Sequence, residues 1–346
     1  MKKLIIKVIF TGIWLAVHLV SPAQNYELVW SDEFDYSGLP DPGKWTFETG
    51  GGGWGNNELQ YHTDRIDNAE VRDSILVITA RKESYGGRDY TSARIVTYND
   101  GLWWRYGKIE ARIKLPYGQG IWPAFWMLGR NFSSVGWPAC GEIDIMEMIG
   151  GEGRENTVHG TAHWDNNGSH ASYGNSVTLS SGSFADDFHL FSIEWNAEKI
   201  LWKMDGEQFH VIDITPAGLS EFQGEFFIIL NLAVGGNWPG SPDSTTVFPQ
   251  ELQVDYVRVY SLPSNIENSG YERQIQLFPN PSDTQIIINT DEKLINYCII
   301  DNTGKIVDYQ PLIDNRIEIS DLRSGVYLLR LENYKGDFIH RKIIKH

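Results

Sequence analysis

Residues 141–150 read GEIDIMEMIG, and the parity of this run decides how the chain folds. Three carboxylates, Glu142, Asp144 and Glu147, sit among isoleucine and methionine, the composition of a strand interior rather than of a solvated surface. On a strand, side chains two apart share a face. Glu142 and Asp144 therefore point one way, while Glu147 falls on the face of Ile143 and Ile145, where its charge would be buried in apolar packing. A β-bulge at Ile145–Met146 removes the conflict, because one extra residue resets the face of every side chain after it. All three carboxylates then line one groove, and Ile143 packs into the core.

With the bulged residue discounted, Glu142 and Glu147 stand ~13 Å apart along the backbone at about 3.3 Å per step. Leaning toward each other over a concave sheet, their carboxyls can approach to about 5–6 Å, near the spacing of a retaining glycosidase and short of the ~6.5–9.5 Å of an inverting one. Three carboxylates this close cannot all ionise cheaply, so at least one keeps a proton near neutral pH. Glu147, beside Met148, is the expected holder. Taken alone, an acidic trio also fits a solvated edge or a cation site.

The rest of the chain up to residue 263 supports a strand reading. SILVITA (74–80), KIEARIKL (108–115), LFSIEW (190–195), ILWKMDG (200–206) and VDYVRVY (254–260) are strand-length, β-branched or aromatic, and bounded by Gly, Asn or Asp turns. No amphipathic helix of three turns and no internal repeat is present, so the expectation is all-β, a jelly-roll sandwich with a concave cleft. All twelve tryptophans after the first 23 residues fall between Trp30 and Trp238. Many lie beside Gly or Pro, where they serve either as core or as platforms that stack on the apolar face of a sugar.

Residues 1–23 carry Lys2 and Lys3, an apolar stretch from Ile9 to Val20 and the small residues Ser21 and Ala23, the pattern of a secretory signal peptide. Its removal takes away three lysines and no acid, moving the net charge from −16 to −19. That balance argues against nucleic acid or an anionic lipid surface as partner. No later run is long enough to span a membrane. The two cysteines, Cys140 and Cys298, fall in different segments, so no disulfide framework is expected. Residues 24–263 form the large domain and 264–274 a polar linker. Residues 275–346 form a small β-sandwich of short runs such as QIIIN, NYCIID and GVYLLRL.

The E-x-D-x-x-E run within GWPACGEIDIMEMIG (136–150), with NNELQYHT (56–63), SARIVT (92–97), GIWPAFWMLG (120–129), GTAHW (160–164) and NLAVGGNWPG (231–240), resembles glycoside hydrolase family 16, and within it the bacterial laminarinases. The resemblance implies a secreted, retaining endo-β-1,3-glucanase, with Glu142 as nucleophile, Asp144 as its assisting carboxylate and Glu147 as acid/base. It also implies cleft roles for Asn56, Arg94, Trp122, Trp126, Trp137, Asn231 and Trp238. His163 is implied beside the carboxylate strand, although it reads equally as a satisfied core histidine. Where the family usually has an aromatic this chain has His62, which bears on the outer sugar subsites. No cofactor is implied for catalysis. A structural calcium is implied at Glu33 and Asp255, two acids that could instead pair with arginine or backbone N–H groups. Mixed-linkage glucan, agar or carrageenan are alternative substrates, and a silent glucan-binding protein is the alternative class. The tail, with LFPNPSDTQIIIN (277–289), SGVYLLRL (324–331) and HRKIIKH (340–346), resembles the C-terminal sorting domain of the type IX secretion system. A carbohydrate-binding module is its rival reading, against which stands the tail's lack of tryptophan. The partners expected are therefore a β-glucan and the secretion machinery, for a monomer at the cell surface or outside the cell.

Overall fold

Alternation of buried and half-buried residues along Thr157–Asp165 marks a strand with one face in a core, and the wholly buried Phe226–Val234 marks a central one. The computed structural model describes residues 26–98, 101–151, 153–262, 275–290, 293–301, 305–334 and 338–346. The signal peptide and linker expected at 1–23 and 264–274 lie outside them. The chain separates into two compact units, Met1–Pro263 and Ser264–His346.

In the first unit, one sheet runs in the order Glu207–Asp213, Lys199–Met204, His189–Trp195, Gly107–Lys114, Gln250–Ser261, Ile75–Ala80, Ala69–Arg72, with Glu27–Asp32 also paired to Gln250–Ser261. The second runs His170–Thr178, Thr157–Asp165, Glu142–Glu147, Ile121–Gly129, Phe226–Val234, Arg94–Val96, Thr46–Phe47. Adjacent strands in both sheets pair antiparallel. One core lies between the sheets, joining Ile109, Ile193, Trp195 and Val257 of the first to Phe125, Met127, Ile143 and Ile228 of the second. Each such side chain contributes about 1.5–3 kcal/mol on burial, so a one-residue slip that turned a strand over would be heavily disfavoured. This two-sheet jelly-roll sandwich leaves the outer face of the second sheet open, and the functional groups collect there.

The second unit has its own core, built on Ile286, Ile299, Ile317, Leu329 and Leu331. A three-stranded sheet (Gln276–Phe278, Gln285–Asn289, Arg316–Glu318) and a four-stranded sheet (Ile306–Pro311, Leu294–Ile300, Gly325–Asn333, Phe338–Lys345) supply it. Cys140 and Cys298 are both free and buried. Among the described residues no helix is long and apolar enough to cross a membrane.

Candidate active site

The bulge expected within GEIDIMEMIG is present. Against Ile121–Gly129, Glu142, Ile143 and Asp144 oppose Leu128, Met127 and Trp126 in turn, but Phe125 is met by Met146, leaving Ile145 as the extra residue, and Glu147 meets Ala124. Leu128, Trp126 and Ala124 alternate along one face, so the three carboxylates opposite them share it. Ile143, Ile145 and Met146 are all buried. The bulge leaves a carbonyl outside the ladder, and the opposite sheet takes it up: the fully buried Trp202 donates its indole N–H to the Asp144 carbonyl at 2.7 Å. Gly160 makes room for this reach, since a Cβ there would stand 2.5 Å from Trp202 Cδ1.

Register carries the open face outward from the carboxylates. On one side Glu142, Asp144 and Glu147 pair with His163, Thr161 and His159. On the other, Trp126 and Trp122 lie opposite Ile229 and Ala233, and Asn231 opposite Ala124 and Arg94. Each glutamate is held by an indole: Trp137 Nε1 donates to Glu142 Oε2 and Trp122 Nε1 to Glu147 Oε1, both at 3.0 Å. His163 turns Nε2 to Asp144 Oδ2 at 2.9 Å, with Glu142 Oε1 at 3.8 Å. Trp126 Nε1 donates to Asn231 Oδ1 at 2.7 Å. The Arg94 guanidinium lies between the rings of Trp54 and Trp126, 4.9 and 4.8 Å from their centres, and its Nε donates to Glu48 at 2.5 Å. Trp238 meets Trp122 edge-on at 5.7 Å and His159 at 5.0 Å. Asn56 stands beside this wall, its carbonyl accepting the Asn237 N–H at 2.8 Å.

The tryptophans divide as stacking chemistry requires. Trp195 and Trp202 are wholly buried, whereas Trp137 is 47% exposed and Trp238 40%. His62 stays out of the cleft surface. It is buried against Trp54, with Nε2 2.9 Å from Gln60, so it offers no ring to an outer sugar.

Burial, reinforced by mutual repulsion, sets the protonation of the trio. It raises Glu142 well above the usual carboxylate range, with the Asp144 charge adding to the rise and His163 and Trp137 opposing it. Burial pushes Asp144 up to about 8. Glu147 also rises to about 8, from burial first and the Asp144 charge second, against the hydrogen bond from Trp122. Glu58 adds to the pressure on Glu147, and is itself raised by burial. Near neutral pH the trio therefore holds protons that a solvated trio would release.

Among the described residues, Glu142, Asp144 and His163 form a possible three-ligand metal group, their ligand atoms lying within 4.8 Å of one another. It shares Glu142 and Asp144 with the carboxylate trio. Glu33 and Asp255 do not make a calcium cage as they stand. Glu33 accepts two hydrogen bonds from Arg258 at 2.9 and 2.8 Å, and Asp255 accepts one from Arg112 at 2.6 Å. Both acids thus pair with arginine, the alternative to oxygen ligation of calcium at these side chains.

Several participants were not picked out from the sequence. Glu58 lies inside the quoted NNELQYHT and could have been singled out as an acid in a strand run. His159 and His170 reach the site through strand pairing, Trp202 from the opposite sheet and Trp54 from a turn before Gln60–His62.

A trio of carboxylates, Asp144 buried and both glutamates half-buried and gripped by indole N–H groups on an aromatic-lined sheet face, is the equipment of a glycoside hydrolase working by carboxylate chemistry. The chain belongs to glycosyl hydrolases family 16, whose pattern matches residues 54–258, and residues 276–346 match the secretion system C-terminal sorting domain. A β-glucanase from Rhodothermus marinus is 46% identical over 251 residues, covering 69% of this chain and 86% of that protein. A glucan endo-1,3-β-glucosidase from Cryptopygus antarcticus is 37% identical, covering 68% and 92%. Among solved structures, the catalytic domain of an endo-1,3-β-glucanase (laminarinase) from Thermotoga petrophila RKU-1 is 48% identical with a TM-score of 0.64, covering 70% of this chain and all of that one.

Proposed function

We propose that this protein is a secreted, endo-acting, retaining hydrolase of β-1,3-glucans of the laminarin type. Glu142 attacks the anomeric carbon, Glu147 protonates the departing oxygen and then deprotonates the incoming water, and Asp144 steadies Glu142. The observation that carries this reading is the bulge, which brings Glu147 onto the face of Glu142 and Asp144. A glucan-binding protein has no need of three mutually repelling acids.

The roles follow from the environments. Glu147 keeps its proton near neutral pH because burial and Asp144 disfavour its anion, and that proton is what the leaving sugar oxygen takes up. Once the covalent glycosyl-enzyme has formed, Glu147 is ionised and accepts a proton from water, as retention requires. Burial and the Asp144 charge raise Glu142, and Trp137 and His163 oppose that rise, favouring the anion that attacks. The exposed faces of Trp137 and Trp238, with Trp122, Trp126, Arg94, Asn56 and Asn231, supply the stacking and polar surface for successive sugars. An open sheet face admits a polymer along its length, which suits internal cleavage.

Residues 1–23 serve as the export signal, and the tail directs passage to the cell surface or beyond. Calcium at Glu33 and Asp255 would compete with Arg258 and Arg112 for these carboxylates. Melting with and without EDTA decides this: a fall in Tm on chelation at unchanged rate would restore the calcium, and an unchanged Tm leaves the two ion pairs in its place.

A reducing-sugar assay over laminarin, mixed-linkage β-1,3-1,4-glucan, agarose and carrageenan tests the substrate. Laminarin should be cut fastest, with oligosaccharides of several lengths appearing early. Sulfated carrageenan is disfavoured by the net negative charge. Turnover of agarose or carrageenan above laminarin would overturn the substrate, and no turnover of any of them would revive the binding-protein alternative.

A further inference from the structure

His170 has no part in the chemistry above, yet it touches both groups that hold Glu142. It follows a two-residue hairpin turn in which Asn166 N–H donates to the Ser169 carbonyl at 2.7 Å. Asn167 and Gly168 both have positive φ, 55° and 83°, the conformation that favours Asn-Gly at such turns. The turn fixes register: His170 pairs with Asp165, and Ser172 with His163. His163 and His170 are therefore diagonal neighbours on the open face, within reach of long side chains.

Their nitrogens meet. His163 Nδ1 lies 2.8 Å from His170 Nε2, and the rings meet edge to edge, nearly coplanar, with centres 5.1 Å apart and 19° between their planes. Trp137 also packs on His170, 4.7 Å between ring centres, while its N–H is given to Glu142. An imidazole with one nitrogen committed to a carboxylate still needs a partner for the other, or the ring can turn over and present carbon to the acid. His170 supplies that partner for His163, whose Nε2 faces Asp144.

We propose that His170 is a positioning residue for the nucleophile. It fixes the orientation of His163 against Asp144 and the seat of Trp137 on Glu142. The proposal rests on the assignment of Glu142 as nucleophile, so wild-type turnover of laminarin, measured alongside, tests that function separately from the role of His170.

His170→Phe keeps a ring for Trp137 to pack on and deletes the hydrogen bond to His163. It should lower kcat on laminarin about tenfold, the worth of one such bond, with KM nearly unchanged. Formation of the glycosyl-enzyme from an activated aryl β-glucoside should slow equally, because that step depends on the nucleophile and needs no acid. His170→Gln, which retains donor and acceptor, should recover most of the rate. Wild-type kcat in a folded Phe variant, or a loss confined to laminarin and absent with the aryl glucoside, overturns the proposal. Should the Phe variant not fold, Gln is compared with His170→Ala: higher kcat in Gln supports the role, and equal rates overturn it.

Discussion

Replacing Glu147 with glutamine should make the protein more stable and nearly inactive, and the size of both effects can be worked from the site. Burial raises Glu147 from 4.5 to about 8. At pH 7 the folded protein then holds a proton that the unfolded chain has already released. At 1.36 kcal/mol per pH unit this linkage costs about 3 kcal/mol of stability. The sign is fixed by proton count: the folded state binds more protons between roughly pH 4.5 and 8, so stability falls as pH rises through that window. Glutamine has nearly the shape of the protonated acid, can accept the Trp122 N–H through its amide oxygen, and needs no proton. Because Asp144 shares the repulsion, part of the cost will remain, and a gain of about 1–2 kcal/mol at pH 7.5 is expected. That corresponds to roughly 2–8 °C in Tm for a domain of this size. At pH 4.5 most of the gain should vanish. Differential scanning calorimetry of the two proteins at both pH values measures it. The glutamine cannot donate a proton, so laminarin turnover should fall about 10²–10⁴-fold, and the wild-type rate should itself decline as pH rises past about 8, where Glu147 loses its proton. A variant that melts lower at pH 7.5, or gains equally at both pH values, would refute the claim that Glu147 is a buried, proton-holding acid.

Trp202→Phe should cost about 2–3 kcal/mol, because it strands the Asp144 carbonyl without a donor and leaves a void; kcat should drop with it, and unchanged Tm and kcat would show that the bulge needs no anchor from the opposite sheet. Residues 24–263, expressed without the tail, should fold and keep the rate of the full chain on soluble glucan. Loss of most activity in that folded protein would count against a tail devoted to export.

How much of this was legible in the sequence depends on how far each interaction reaches along the chain. The strand character of residues 142–147 and the bulge follow from a two-residue period interrupted once, a local pattern, and Glu142, Asp144 and Glu147 could be placed on one face from spacing alone. Trp202 could not be found that way. It reads as one more apolar residue in ILWKMDG, and only packing of one sheet on the other brings its N–H to Asp144. His170 was hidden for a related reason: its register depends on the Asn167–Gly168 turn and its partner lies across a hairpin. The resemblance led to Glu33 and Asp255 as calcium ligands, but it carries no information about Arg258 and Arg112, which sit on neighbouring strand positions and take those oxygens. His62 likewise occupies a position where an aromatic was expected and turns inward.

The central claim is that Glu142 and Glu147 divide the work of a double displacement, and the stereochemistry of azide rescue tests it most directly. With an activated aryl β-glucoside, Glu142→Ala should be nearly inert until azide fills the vacated space, inverts once and yields the α-glycosyl azide. Glu147→Ala should still form the glycosyl-enzyme, since that leaving group needs no proton, and azide should then release the β-glycosyl azide. Proton NMR of the anomeric centre distinguishes the two products. The β-azide from the Glu142 variant and the α-azide from the Glu147 variant would reverse the roles, and rapid hydrolysis by both would place the catalytic pair elsewhere.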